Sequence, residues 1–256
     1  RAFILFLLSF TGVCFAQGWK ELRTGIEQQV FVLPQDSGSK LEVNVVRINP
    51  AKYAVRVVDT YGTLTRQHVQ YPVYTIGQIA PIIKPLVMIN GGFASSYTLP
   101  IPAGLLVDNN RVVTRLNTLS KTQSGVLCIK GSSVRILRKE QYVKEDCVSA
   151  LQAGPLLLDA PGKLGISQAE RAKKFRRSFV ATDGKGNLIM GVTNEASLHD
   201  LAKFLAKAEP TGIQATAVLN LSGDIESALY VKTDSKEIIF GMIDVPVAST
   251  IAILAK

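Results

Sequence analysis

The chain has 256 residues, 47% of them hydrophobic and 19% charged, with a formal net charge of +9 and a pI near 9.5. It is long and apolar enough for one sizeable core in a single domain. Its two histidines and three cysteines have no metal-type spacing, which argues against a zinc centre and against a Ser-His-Asp triad. The basic balance favours anionic partners, such as wall polymers, phospholipid surfaces or phosphorylated sugars. Nucleic acid is not expected, because Lys and Arg are scattered, apart from the cluster Arg171-Ala172-Lys173-Lys174-Phe175-Arg176-Arg177, and no aromatic-rich RNA-reading motif or zinc finger accompanies them.

Arg1, the apolar run Ala2 to Phe10 and the segment Cys14-Phe15-Ala16 before Gln17 have the order of a secretory signal peptide. The run is shorter than the about 20 apolar residues of a comfortable membrane span. The expected organisation is therefore a signal peptide at 1–16 and one domain at 17–256, exported to the periplasm or the extracellular space. No transmembrane segment is expected after signal cleavage.

Strands are expected at Gln29 to Leu33, at Leu41 to Ile48 by apolar-polar alternation, and at Tyr53 to Val58 after the Asn49-Pro50 turn. A short helix is expected over Val73 to Ala80, ending before Pro81, and then a buried strand at Leu86 to Ile89. Hairpins follow. Asn109-Asn110, Gly131-Ser132-Ser133, Asp183 to Asn187 and Thr233 to Lys236 each separate two apolar runs and carry turn chemistry. Ser197 caps a helix whose apolar face is Leu198, Leu201, Ala202, Leu205 and Ala208. Ala215 to Leu221 reads as another buried strand. The fold class is α/β: a β-rich single domain with a mixed sheet, several hairpins and a few helices. Cys128 and Cys147, both in the mature chain, either form one disulfide or stay as buried thiols.

Four apolar runs end abruptly in polar or glycine-rich segments. Ile89-Asn90-Gly91-Gly92-Phe93 offers two glycines that free the backbone and an amide that both donates and accepts. Gln152-Ala153-Gly154-Pro155 forces a bend. Arg177-Ser178 brings a planar fork of donors suited to phosphate. Asn220-Leu221-Ser222-Gly223-Asp224-Ile225-Glu226-Ser227 adds two carboxylates to a third amide. Each alone also reads as an ordinary turn, kink or solvated loop.

In this order the four segments resemble the phosphodiester glycosidase family over nearly the whole mature chain, from about Trp19 to Val245-Pro246-Val247. Asn90, Gly91 and Gly92 match its Asn-Gly-Gly turn, and Gln152, Gly154 and Pro155 its Gln-x-Gly-Pro bend. Arg177 matches an arginine, with Ser178 where Thr is usual. Asn220, Gly223 and Ser227 match a segment that usually reads Asn-Leu-Asp-Gly-Gly followed by serines. Ser222 thus replaces the usual Asp, Asp224 replaces the second Gly, and Ala94 stands where a second Phe is common.

The resemblance implies an exported hydrolase that cleaves a sugar from a sugar-1-phosphodiester. Asp224, Glu226, Arg177 and Asn90 are the expected catalytic group. Gly91, Gly92, Phe93, Gln152, Gly154, Ser178, Asn220, Ser222, Gly223 and Ser227 are expected to line the substrate. The partner would be a phosphorylated sugar or an anionic envelope glycan. No cofactor or metal ligand is assigned, and a divalent cation stays open. The rival expectation is an inactive family member that binds an anionic glycan.

Overall fold

The computed structural model describes residues 18–34, 40–66, 74–96, 100–167, 173–207 and 212–256. The expected signal peptide, His68, Ala208 and the first two residues of the basic cluster lie outside them. Eighteen strands in three sheets and three α-helices are present among the described residues. The largest sheet runs in the order β1 (Lys20–Arg23), β2 (Ile26–Pro34), β3 (Lys40–Ile48), β14 (Leu188–Ala196), β13 (Phe175–Asp183), β15 (Ala215–Asn220), β11 (Leu156–Ala160), β12 (Lys163–Leu164). A second sheet is ordered β7 (Arg111–Thr114), β6 (Leu106–Asp108), β10 (Ser149–Ala153), β8 (Gly125–Lys130), β9 (Ser133–Arg138). The third is ordered β17 (Glu237–Gly241), β16 (Ala228–Lys232), β5 (Val87–Asn90), β18 (Ser249–Leu254), β4 (Ala54–Asp59). The helices are α1 (Thr60–Arg66), α2 (Ile76–Ile83) and α3 (Leu198–Ala206).

Strand alternation sets the packing. Along β3, Val46 and Ile48 face a central core, whereas Leu41, Val43 and Val45 face the opposite side. All three sheets supply that central core, through residues such as Val180, Met190 and Leu219, Leu127 and Leu151, and Ile89 and Ile251. The outer face of the largest sheet is covered by α3 through Leu198, Leu201 and Leu205. On the outer face of the third sheet, Met88, Tyr230 and Ala252 pack with Leu64 of α1 and Ile76 and Ile79 of α2.

The β-rich domain with several hairpins and few helices is as expected; the mixed sheet is not. Every strand pairing among the described residues is antiparallel. The physical reason is in the connections: tight turns join many successive strands, and such turns can only reverse the chain. The second helix also differs from expectation. It begins later, because Thr75 forms a capping box with Gln78, and it runs through Pro81 to Ile83. Pro81 is exposed and removes only the donor to Gly77 in a helix of two turns. Lys84, at φ 50°, ends it. The cysteine alternative resolves to a disulfide, Cys128–Cys147, with a Cα–Cα distance of 5.3 Å.

Candidate active site

The four motif segments converge. Asn90 closes β5 and is fully buried. Its Nδ2 donates to the Ser222 carbonyl at 2.7 Å, and its Oδ1 accepts from Ser178 Oγ at 2.6 Å and from the Ala228 N–H at 3.2 Å. One amide therefore ties the third sheet to β13 and to the loop after β15. The adjoining backbone continues this seam, with Gly91 N–H donating to the Ser249 carbonyl at 2.8 Å and Ser222 N–H to the Gly91 carbonyl at 2.9 Å.

Neither Gly91 nor Gly92 needs a left-handed φ, contrary to the sequence reading of free backbone dihedrals. They are glycines for close approach. A Cβ at Gly91 would press on the Ser249 hydroxyl and lie 2.9 Å from its carbonyl oxygen, and one at Gly92 would lie 2.6 Å from the Gln152 carbonyl oxygen. Phe93 follows, partly buried, with its carbonyl accepting from Ala103 N–H at 2.8 Å.

Gln152 is likewise engaged at both ends. Its Oε1 accepts from the N–H groups of Leu105 (3.0 Å) and Asn117 (2.8 Å), and its Nε2 donates to the carbonyls of Asn117 and Gln123, both at 2.9 Å. Gly154, joined to Pro155 by a cis peptide, packs against the backbone of Thr122 and Ser124. Asn220 Nδ2 donates to the carbonyls of Gly154 (2.9 Å) and Leu221 (2.8 Å). Its Oδ1 is buried without a partner among the described residues. The expected ligand-holding amides are thus the fasteners of the strand ends, with one Asn220 lone-pair site left over.

The charged groups lie on the rim of this seam. Arg177 on β13 donates through Nε to the Ala196 carbonyl (3.0 Å) and through Nη2 to the Lys173 carbonyl (3.1 Å), and its guanidinium carbon lies 5.2 Å from the centre of the Phe175 ring. These contacts aim the guanidinium toward Gly223, where a Cβ would lie 3.9 Å from Nη1 and 3.0 Å from the Arg176 carbonyl oxygen.

The two carboxylates separate sharply. Asp224 is exposed and takes φ 58°, at the position where the sequence resemblance expects a glycine. Glu226, in the short 3-10 helix Asp224–Glu226, is only 3% exposed. Burial raises its pKa, opposed by a hydrogen bond from the Ser222 hydroxyl. Ser227 is buried, and its Oγ lacks a partner among the described residues, as do Ser249 Oγ and Thr250 Oγ1. The sequence reading missed Ser249 and Thr250. Their signal was present as a polar pair inside the apolar run Val247 to Leu254, and the ladder sets Thr250 opposite Asn90. Two surface clefts, of about 440 Å³ beside β1 and β2 and about 290 Å³ beside α2, include none of these residues. Among the described residues no group of three or more His, Cys, Asp or Glu could hold a metal ion. No helix there is long and apolar enough to cross a membrane.

The fold is similar to three solved structures. One is the catalytic domain of zebrafish N-acetylglucosamine-1-phosphodiester alpha-N-acetylglucosaminidase, auto-inhibited by its pro-peptide (17% identity, TM-score 0.68, covering 90% of this chain and 84% of that one). Another is a hypothetical protein from Synechocystis (16%, TM-score 0.61, 91% and 62%). The third is a protein from Burkholderia pseudomallei predicted to be exported (12%, TM-score 0.58, 87% and 75%). At these identities the likeness is one of fold. No protein of curated function matches the chain. The model of the phosphodiester glycosidase family matches residues 84–254, from the end of α2 through β18 and so across all four motif segments, and the chain belongs to that family.

Proposed function

We propose that this protein is an exported hydrolase that cleaves the bond between a sugar C1 and the oxygen of a phosphodiester, in a GlcNAc-1-phosphodiester-like unit of envelope or extracellular glycans. The observation that carries the reading is Glu226, a buried carboxyl in the loop after β15 whose N–H donates to the carbonyl of Gly223 at 3.3 Å, the glycine toward which the Arg177 guanidinium is aimed. Family membership supplies the reaction class.

The chemistry divides between these groups. Glycosidic cleavage passes through an oxocarbenium-like transition state and commonly employs two carboxyl groups. A phosphate leaving group relaxes that demand, because the departing monoester has its second pKa near about 6 and needs little protonation. The C1–O bond breaks, and the oxygen leaves with the phosphate. The Arg177 guanidinium stabilises the charge that develops there. A water oxygen bonds to C1, and its proton passes to Glu226. A carboxyl raised by burial suits this base role, since its pKa moves toward the working pH. Asn90 and Ser178 act one step back, by fastening β13 to the loop after β15, the two segments that carry these groups. Gln152 fastens the neighbouring segments at Leu105, Asn117 and Gln123.

A second reading has one observation in its favour: Ser222 stands where the family usually has Asp. In it the chain is an anionic-glycan binding module without turnover. Purified protein assayed on a chromogenic GlcNAc-1-phosphodiester panel, with and without divalent cations, separates the two. Turnover lost in Glu226→Gln and kept in Asp224→Asn supports the hydrolase. No turnover by the wild type, with saturable thermal protection by the same diesters, supports the binding module.

A further inference from the structure

Among the described residues, four of the exposed large apolar side chains lie on or next to segments that border the candidate site. Ile101 (43% exposed) lies on the return of the loop that follows Gly92-Phe93, where its carbonyl accepts from Ser95 N–H at 2.7 Å. Leu119 (90%) sits on the loop that Asn117 anchors to Gln152. Phe175 (39%) lies beneath the Arg177 guanidinium, and Ile225 (49%) lies between Asp224 and Glu226. A single exposed apolar residue is ordinary on any protein. Four on the loops around one polar seam form a pattern of the kind that marks an interaction surface.

The same edge is cationic. Lys173, Lys174 and Arg176 are all exposed beside Phe175 and Arg177, on a chain whose formal net charge is +9. Apolar side chains interspersed with cations complement one kind of surface best, an anionic lipid interface. A soluble glycan presents hydroxyls and gives Leu119 and Ile101 nothing to cover them.

We infer that this rim docks on an anionic lipid surface and that the substrate is a sugar-1-phosphodiester whose alcohol carries a long apolar chain. The substrate part of this rests on the glycosidase reading above; the lipid surface does not. The diester would lie with its phosphate at Arg177 and its chain along the rim, while the sugar reaches the polar strand ends.

The test uses the full protein and two readouts. In sedimentation with vesicles of phosphatidylglycerol and phosphatidylcholine, the wild type is expected to bind, to release as salt rises, and to bind pure phosphatidylcholine weakly. The double variant Ile101→Ser/Leu119→Ser, which alters only exposed side chains outside the catalytic group, is expected to lose roughly tenfold or more in vesicle affinity. It should slow hydrolysis of a GlcNAc-1-phospho-decanol diester by a similar factor and leave the methyl diester unchanged. Wild-type protein that ignores anionic vesicles overturns the inference, as does a double variant that binds them equally well. Equal effects on decyl and methyl diesters overturn its substrate part. Variant-sensitive vesicle binding without hydrolysis of either diester would instead sink the hydrolase reading and leave the lipid surface standing.

Discussion

Across the turn that follows β15, the Ser222 hydroxyl favours the ionised form of the Glu226 carboxyl. Burial drives the Glu226 pKa up, and this one hydroxyl opposes it. The Ser222 backbone is itself fixed, with its N–H on the Gly91 carbonyl and its carbonyl on Asn90. The geometry of the carboxyl therefore traces back to the Asn-Gly-Gly turn more than 130 residues earlier in the chain. Removing the hydroxyl removes the opposing effect. Ser222→Ala should shift the acidic limb of the kcat/KM profile to higher pH, read from rates at fixed low substrate. A limb that stays in place would separate Ser222 from the ionisation that governs turnover.

Glu226 also links stability to pH. Its folded-state pKa lies above the unfolded value of about 4.3. Between those two values the folded chain holds more protons than the unfolded one, so stability falls as pH rises. The contribution is fully present below the unfolded pKa and is lost as pH rises through the folded one. Glu226→Gln carries no charge at any pH. It should therefore raise Tm more at pH 8 than at pH 4, by thermal melts at both. An equal shift at the two values would show that Glu226 titrates normally.

Asn90 is expected to matter through the fold. Asn90→Ala would strand the Ser178 hydroxyl, the Ala228 N–H and the Ser222 carbonyl in a buried seam. Leaving a buried polar group unpaired costs about 1–3 kcal/mol. The substitution should thus destabilise by at least about 3 kcal/mol, measured by chemical denaturation. Ser178→Ala, which breaks one of these bonds, should cost about 1 kcal/mol.

Asp224 carries a backbone demand. At φ 58° it occupies the left-handed region, which Asp tolerates better than most residues. Asp224→Gly should be neutral or stabilising within about 1 kcal/mol, and Asp224→Ala should destabilise by about 1 kcal/mol. Denaturation curves of the two variants check the order. Both should retain turnover, because the Asp224 side chain is exposed and Glu226 carries the proton.

Much of the fold was legible because the local signals were strong. Asn109 and Asn110 take φ 49° and 66°, as a two-residue hairpin turn demands, and join β6 to β7 where the sequence placed them. Ser197 caps α3, and its apolar face was readable from spacing. Where local signals were weak, tertiary contacts decided. Helix α1 has one glycine and two threonines in its interior and is held by Leu64, which is buried in one cluster with Ile76 and Ile79 of α2. Strand β18 begins with two polar residues that look like a loop until they are set beside β4 and β5. The motif positions were visible as strand ends. Their division of labour was not, because which amides fasten loops and which carboxyl is buried depends on partners far away in sequence. Asp224 and Glu226 are two residues apart and chemically alike; only the turn between them exposes one and buries the other.

The most direct test is the turnover of a chromogenic GlcNAc-1-phosphodiester by wild type, Glu226→Gln and Asp224→Asn, each shown by its melting transition to be folded. The expected result is hydrolysis by the wild type, a loss of about a hundredfold or more in Glu226→Gln, and little change in Asp224→Asn. Full activity in Glu226→Gln, or its abolition in Asp224→Asn alone, would contradict the assignment of the buried carboxyl.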